Sequence, residues 1–188
     1  MVGLVAAKMV KEYENDMDIS NIIDKKSISQ RTIILSDFNS LVLENINRNL
    51  ELNNVKDMDC NIKTQTVDFY HTSIEDENTV NVILAADVIC KTEDAIAVAD
   101  TIKHLLVPGG IAIVVSVDAK HRFGVDRFES ECIRVGLQIE TTNVADFYDG
   151  QLLPNHDNND DGIHQTSGYV DDMSLTLFRI HKSNTIQI

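Results

Sequence analysis

Hydrophobic positions along the chain recur with two spacings, one typical of β-strands and one typical of α-helices. Short aliphatic and β-branched runs predict strands at residues 32–35, 62–67, 80–86, 111–117, 137–141 and 173–181. Apolar residues three or four positions apart predict amphipathic helices at residues 2–9, 42–50, 95–106 and 125–135. The chain is therefore predicted to alternate between strands and helices over most of its length.

The ends of the predicted helices carry recognisable signals. Thr92 is predicted to cap the helix at 95–106, and Glu93 and Asp94 suit its first turn because carboxylates interact favourably with helix N-termini. Pro108-Gly-Gly110 is predicted to end that helix. Gly136 is predicted to end the next helix in the left-handed conformation.

This alternation predicts an α/β fold with a doubly wound, mostly parallel sheet. The last two predicted strands follow one another with no helix between them, which predicts an antiparallel final strand. We interpret residues 1–188 as a single domain. Polar residues 14–31 are predicted to form an insertion loop, and residues 154–168 a mobile loop.

The chain is strongly acidic: 30 Asp and Glu against 16 Lys and Arg give its 188 residues a formal net charge of −14. Such a charge disfavours nucleic acids and anionic membranes as partners, and it favours basic proteins. The longest apolar run, 111–117, is far short of the roughly 20 residues that a transmembrane helix needs. Residues 120–122 form a small basic cluster, which we assign to the surface.

The cysteines and the candidate metal ligands carry little signal. Cys60, Cys90 and Cys132 are far apart and form no Cys-x-x-Cys pair, which indicates reduced thiols in a cytoplasmic or nuclear protein. Residues 157–162 match the opening of a calcium loop, but Gly168 stands where the loop needs a glutamate. His156 and His164 lie in the same polar stretch, and no metal site is expected.

Acidic residues follow three of the predicted strands: Asp37, Asp68 and Asp87. In open α/β sheets, ligands bind outside the carboxyl ends of the strands. A carboxylate there can accept hydrogen bonds from both hydroxyls of a ribose, whereas the alternative is an ordinary polar loop residue. Phe69 and Tyr70 offer an aromatic surface to a base, or else pack beneath a loop. The pattern indicates a nucleotide-cofactor site with Asp37, Asp68 and Phe69 among its residues.

Several segments together resemble a known family. Residues 33–53, beginning IILSDFN, resemble the second strand and following helix of the seven-β-strand, S-adenosyl-L-methionine-dependent protein methyltransferases, which have a Rossmann-like fold. Residues 82–89 and 105–113 are similar to that family's fourth strand and to its turn into the fifth strand. Within the family, the chain is most similar to the group that modifies lysine, or occasionally histidine, in non-histone proteins, including calmodulin-lysine methyltransferases.

The resemblance implies roles for particular residues. Asp37 would bind the ribose of S-adenosyl-L-methionine, and Phe69 stands where the group has a tryptophan beside the adenine. Ala86 would contact the cofactor through its backbone. Asp87 begins the group's Asp-x-x-Tyr motif near the substrate amine and is the predicted catalytic residue, although Cys90 replaces the tyrosine. The resemblance implies methyl transfer to a protein side chain, that of a lysine, which this group mostly modifies.

The start of the chain departs from the family pattern. Residues 1–8 resemble the helix that follows the family's glycine-rich loop, so we expect the first strand and that loop to be missing from an incomplete domain. The alternative is a catalytically inactive remnant that binds a protein partner. A nicotinamide-dependent oxidoreductase is disfavoured because no Gly-x-Gly-x-x-Gly motif is present.

Overall fold

The computed structural model describes residues 32–53, 61–71, 77–144 and 174–184. The chain divides into two compact units, the first ending at residue 72 and the second beginning at residue 73. The predicted helix at 2–9 and the predicted loops at 14–31 and 154–168 lie outside the described residues.

The first unit contains a strand, a helix and a second strand: β1 (Thr32–Asp37), α1 (Ser40–Leu52) and β2 (Asn61–Thr66). The two strands pair in parallel, with Thr32 opposite Asn61 and Asp37 opposite Thr66. Asn39 caps α1, because its side chain accepts a hydrogen bond from the backbone N of Leu41 at 2.9 Å. Both strands and the helix are where the apolar spacing predicts them.

The second unit contains the elements β3 (Val80–Ala86), α2 (Thr92–Leu105), β4 (Leu106–Val117), α3 (Val125–Arg134), β5 (Leu137–Asn143) and β6 (Leu175–Lys182). The four strands form one sheet in the order β3-β4-β6-β5. β3 and β4 are parallel, while β6 is antiparallel to both of its neighbours. The predicted antiparallel final strand is confirmed, and the structure places it between β4 and β5.

The core of the second unit lies where α2 and α3 cover one face of this sheet. Ala112 and Val114 of β4 are fully buried and lie opposite Ile180 and Phe178 of β6. The ring of Phe128 on α3 meets the ring of Phe178 edge to face, with centroids 5.2 Å apart. The apolar side of α2 is buried as well, through Ala95, Ala97, Val98, Ala99 and Ile102.

Two predicted helix signals are wrong in detail. The N-cap of α2 is Lys91 rather than Thr92, and the carboxylate of Asp94 accepts hydrogen bonds from the backbone N of Cys90 and of Lys91, at 3.0 and 3.1 Å. Pro108-Gly-Gly110 does not end α2, because the helix stops at Leu105 and these three residues belong to β4.

The Pro-Gly-Gly segment forms an irregularity in the pairing of β3 with β4. Val80 lies opposite Leu106, but Val82 lies opposite Ile111, so β4 carries extra residues between the two pairs. Gly109 has a φ of +80°, which favours glycine. A Cβ on Gly110 would lie 2.9 Å from the carbonyl oxygen of Val107, so this position also requires a residue without a side chain.

Among the helices that the structure describes, none has the length and apolar character needed to cross a membrane.

Candidate functional site

Asp37 is the last residue of β1, at the carboxyl end of the two-stranded sheet. Its Oδ1 accepts a hydrogen bond from the backbone N of Asn39 at 2.9 Å, and its carbonyl oxygen accepts one from the backbone N of Val67 at 3.2 Å. Its Oδ2 has no hydrogen bond to any residue that the structure describes. Among the described residues, the side chain is therefore fixed through one oxygen only.

Asp68 follows β2 and organises a tight turn. Its Oδ1 accepts a hydrogen bond from the backbone N of Tyr70 at 2.9 Å, and its Oδ2 lies 2.9 Å from Nδ1 of His71. The bond to His71, and next the bond from Tyr70, lower the pKa of Asp68. Both oxygens thus stabilise the turn, in which Phe69 is partly exposed.

Three of the predicted site residues come together in the first unit. The hydrogen bond from Val67 to Asp37 continues the pairing of β1 with β2, so Asp37, Asp68 and Phe69 follow the same edge of this sheet. Two exposed aromatic side chains accompany them, Phe38 at 72% and Tyr70 at 51% exposure. Phe38 was not singled out from the sequence, although an aromatic residue directly after a strand-end Asp was a visible signal.

The other two predicted site residues lie in the second unit, at the carboxyl end of β3. Ala86 is the last residue of β3, lies opposite Val115 and is exposed. Asp87 follows it, and its backbone N donates a hydrogen bond to the carbonyl oxygen of Val115 at 2.7 Å. Asp87 has a φ of +53°, a left-handed conformation in which Asp is among the better tolerated side chains. This turn holds the Asp87 carboxylate at the end of the strand.

Both carboxylate oxygens of Asp87 accept hydrogen bonds from one arginine. Nε of Arg122 donates to Oδ1 at 3.0 Å, and Nη2 donates to Oδ2 at 2.7 Å, the fork geometry in which charge-assisted pairs are strongest. The hydrogen bond to Asp87 is the main reason that the pKa of Arg122 is raised. The basic cluster at 120–122, assigned to the surface from the sequence, therefore includes a residue of the candidate site.

Asp118, directly after β4, organises the turn that carries Arg122. Its Oδ1 accepts hydrogen bonds from the backbone N of Lys120 at 3.1 Å and from Nδ1 of His121 at 2.8 Å. Its Oδ2 accepts bonds from the backbone N and from Oγ of Ser174, at 3.0 and 2.9 Å. The amide of Ser174, and next His121, hold the pKa of Asp118 well below its ordinary range.

The turn after β4 also packs tightly against the segment after β3. A Cβ on Gly124 would overlap the carbonyl group of Lys91 and would lie 3.0 Å from Cγ2 of Ile89, which is fully buried. The Arg122–Asp87 pair and this backbone contact therefore join the same two segments. The structure thus builds a fixed pair of loops at the carboxyl ends of β3 and β4.

Three residues of this arrangement were missed from the sequence: Asp118, Arg122 and Ser174. Asp118 carried the same signal as Asp87, since it is an acid immediately after a predicted strand. Arg122 pairs with a residue 35 positions away, and Ser174 with one 56 positions away, so neither could be found from local spacing.

Within the described residues, no group of three or more His, Cys, Asp or Glu side chains is arranged to hold a metal ion. The calcium-like segment at 157–162 lies outside those residues.

Comparison with known proteins gives a family match and a fold match. A family model described as lysine methyltransferase matches residues 18–130, which is more than half of the chain. A search of the curated proteins found no match.

Solved structures resemble the chain at low sequence identity. The [4+2]-cyclase SpnF is 14% identical with a TM-score of 0.58, over 82% of this chain and 68% of that one. A protein assigned as a sarcosine dimethylglycine methyltransferase from Galdieria sulphuraria is 10% identical with a TM-score of 0.54, over 97% and 87% of the two chains.

A phosphoethanolamine N-methyltransferase from Haemonchus contortus, solved with phosphomonomethylethanolamine and S-adenosylhomocysteine, is 15% identical with a TM-score of 0.56. The match covers 81% of this chain and 44% of that one. These likenesses confirm the predicted Rossmann-like α/β fold. They do not identify the reaction, because a cyclase shares the fold with methyltransferases.

Proposed function

Because the chain belongs to the lysine methyltransferase family, we propose that it transfers a methyl group from S-adenosyl-L-methionine to the side-chain amine of a lysine in a protein. The family match carries this proposal, since it spans every element from β1 to β4 and most of α3. The family assignment also confirms the predicted cofactor. The roles of individual residues are part of the proposal.

The roles proposed for individual residues rest on their positions at the ends of strands. S-adenosyl-L-methionine supplies a methyl group bonded to a positively charged sulfur. We assign Asp37 to its ribose, because Oδ1 is fixed by Asn39 while Oδ2 has no bond to a described residue. Asp68 offers less, because both of its oxygens hold the turn, although a carboxylate oxygen can accept a second bond.

The same proposal gives Phe69 and Ala86 supporting roles. Phe69 would contact the adenine, and its partial exposure within the turn after β2 leaves ring surface available for that contact. Ala86 would contact the cofactor through its backbone. Its position as the last residue of β3 places it beside Asp87, the residue assigned to the substrate.

We assign Asp87 to the substrate amine. A lysine nitrogen must be neutral and must approach the methyl group in line with the bond that breaks, so the enzyme has to orient it. The carboxylate of Asp87 accepts a hydrogen bond from that amine. Its side chain is 43% exposed and its backbone is fixed by Val115, so the acceptor is both reachable and held in place.

The substrate is proposed to be a non-histone protein that presents its lysine on a basic surface. The net charge of −14 favours such a surface through long-range attraction. We place the reaction in the cytoplasm or nucleus, which suits the free thiols of Cys90 and Cys132.

A second candidate function is partner binding without catalysis. The observation that favours it is Cys90, an exposed cysteine where the resembled motif has tyrosine. Such a chain would keep the acidic surface and would have lost a group that orients the amine.

One experiment separates these functions. The whole chain and its Asp87→Asn variant are given methyl-labelled S-adenosyl-L-methionine and a heat-treated lysate of the source organism, and label per folded molecule is counted. Asp87→Asn should reduce labelling by about 100-fold, a typical effect of losing a group that acts on a reacting proton. Its affinity for the cofactor, measured by calorimetry, should stay within about twofold.

Asp126→Asn is the matched control, because Asp126 is an exposed acid in the first turn of α3. Equal labelling by the unaltered chain and Asp87→Asn would show that Asp87 has no catalytic role. If the unaltered chain labels no protein even at cofactor concentrations that saturate it, partner binding is favoured.

A further inference from the structure

The carboxylate of Asp87 is held by a guanidinium that no part of the proposed reaction has yet used. We infer that Arg122 is a positioning residue for methyl transfer, which orients the Asp87 carboxylate toward the substrate amine and balances its negative charge. This inference rests on the proposed function, because it assigns Arg122 a part in the same site.

The geometry of the pair suits this role. The two bonds of 3.0 and 2.7 Å fix both the position and the plane of the carboxylate, which a single bond would leave free to rotate. The carboxylate has about four lone-pair positions, so two remain for another donor. Both side chains are partly exposed, Arg122 at 32% and Asp87 at 43%, and a substrate can therefore reach the pair without displacing Arg122.

Arg122 is itself held by its own turn. Its backbone N donates to the carbonyl oxygen of Asp118 at 3.1 Å, and its Nη1 donates to the carbonyl oxygen of His121 at 3.3 Å. Asp118 is anchored in turn by Ser174, and Gly124 rests against Lys91. The guanidinium is thus placed by backbone contacts, as a positioning residue must be.

Charge balance matters because the reactive form of lysine is the neutral amine. A single carboxylate beside an ammonium favours the charged form and raises the pKa of the amine by about 1–3 units. A guanidinium bonded to that carboxylate offsets most of this effect. The pair therefore lets Asp87 accept a hydrogen bond from the amine while the amine still loses its proton.

Other ionisable groups lie in the two segments that carry the pair, and their effects must be distinguished from that of Arg122. Cys90 also contributes to the raised pKa of Arg122, and the exposed ammonium of Lys91 is its neighbour in the segment after β3. In the turn after β4, the ammonium of Lys120 is exposed and the ring of His121 bonds to Asp118. The ring of His121 is the neighbouring imidazole, so it requires its own control.

The carboxylate of Asp94 completes this set. It lies on α2 and bonds to the backbone N of Cys90 and of Lys91, so it supports the segment after β3 through the backbone. Asp94 is unchanged in every variant, so its effect on the pH midpoint of methyl transfer is the same in each.

The test is the pH dependence of methyl transfer by the whole chain, with labelled cofactor and the heat-treated lysate as substrate. Arg122→Gln should move the midpoint of the alkaline rise to higher pH by about 1 unit, because the unbalanced carboxylate stabilises the ammonium. Arg122→Lys keeps the charge and loses the fork, so its midpoint should stay in place while the labelling rate at saturating cofactor falls by about 10-fold.

Two control variants should leave the midpoint unchanged. Arg134→Gln removes another arginine that bonds to carboxylates, those of Glu131 and Asp100, at the last turn of α3. His121→Gln removes the neighbouring imidazole. Thermal unfolding of each variant gives the folded fraction used to normalise the rates.

An unshifted midpoint in folded Arg122→Gln would overturn the charge-balancing role. An unreduced labelling rate in Arg122→Lys would overturn the positioning role, and this second result decides the inference if Arg122→Gln does not fold. Failure of the unaltered chain to label any protein would instead be a failure of the proposed function. If the unaltered chain labels protein and both Arg122 variants match it in midpoint and labelling rate, only this inference is rejected.

Discussion

Asp118 and Ser174 are joined by three hydrogen bonds although 56 positions separate them. The carboxylate of Asp118 accepts bonds from the backbone N and Oγ of Ser174, and the backbone N of Asp118 donates to the carbonyl oxygen of Ser174 at 2.9 Å. The residue after β4 is thereby tied to the residue before β6. This link stabilises both the sheet and the turn that carries Arg122.

Asp118→Asn should lower stability at neutral pH and have little effect in acid. The folded-state pKa of Asp118 lies below the ordinary value of 3.8, so its contribution is fully present above that value and is lost as pH falls below it. Urea unfolding at about pH 7 should separate the variant from the unaltered chain, and the separation should shrink at about pH 3.

Asp126→Asn is the control for this comparison, because Asp126 is exposed at the start of α3. If the difference in unfolding free energy between Asp118→Asn and the unaltered chain stays constant across this pH range, the charge of the carboxylate contributes nothing to stability.

Asp37→Ala should weaken cofactor binding by a factor of at least about 10. The substitution removes a charged acceptor from the ribose, and hydrogen bonds to charged groups contribute roughly 1.5–3 kcal/mol each. Calorimetry with S-adenosyl-L-methionine measures the change. Asp37→Asn should also weaken binding while keeping an oxygen for the backbone N of Asn39. Glu51→Ala, at an exposed position of α1, should bind as the unaltered chain does; equal affinity in all three variants would refute the assignment of Asp37.

Gly124→Ala should destabilise the second unit by about 1–3 kcal/mol, the usual cost of forcing extra volume into a packed site. The added methyl group would overlap the carbonyl group of Lys91, which is backbone and has little freedom to move. Chemical unfolding measures the loss, and Asp126→Ala at an exposed position of α3 serves as the control. Unchanged stability would mean that the two loops are not packed together in solution.

Lys182→Met should cost about 1–3 kcal/mol of unfolding free energy, because carbonyl groups that Lys182 satisfies would lose their donor. Nζ of Lys182 donates to the carbonyl oxygens of Lys103 and Leu106, at 2.6 and 2.7 Å, and to Oδ1 of Asn78 at 2.7 Å. Thermal unfolding measures this loss. In the same measurement Lys120→Met, which removes an exposed lysine, should leave the unfolding free energy nearly unchanged. Similar losses in the two variants would contradict this role.

The elements were predictable where local pattern and tertiary pairing agree. Phe128 and Cys132 repeat with helical spacing and are both fully buried on α3, and Gly136 follows that helix with a φ of +77°. The start of β4 was mispredicted at residue 111, because the backbone N of Asn78 and of Thr79 bond to the carbonyl oxygens of His104 and Leu105. That pairing begins β4 before the proline, and no local signal reports it.

The candidate site was predictable in part for the same reason. Asp37 and Asp87 could be found because a strand and its end are visible in a short stretch of sequence. The arginine that pairs with Asp87 could not be found, because its position depends on how two loops pack. The sequence shows that Cys90 replaces the tyrosine of the resembled motif, but it does not show that Cys90 is exposed.

The place of β6 in the second sheet has a consequence for the order of events during biosynthesis. β5 has β6 as its partner in this sheet, and β4 reaches β5 through the same strand. Until β6 emerges from the ribosome, β4 has an unpaired edge and β5 has no neighbour in this sheet, and such edges invite wrong association. The nascent chain must therefore protect an unfinished sheet while residues 144–174 are synthesised, which is the interval in which a chaperone would be needed most.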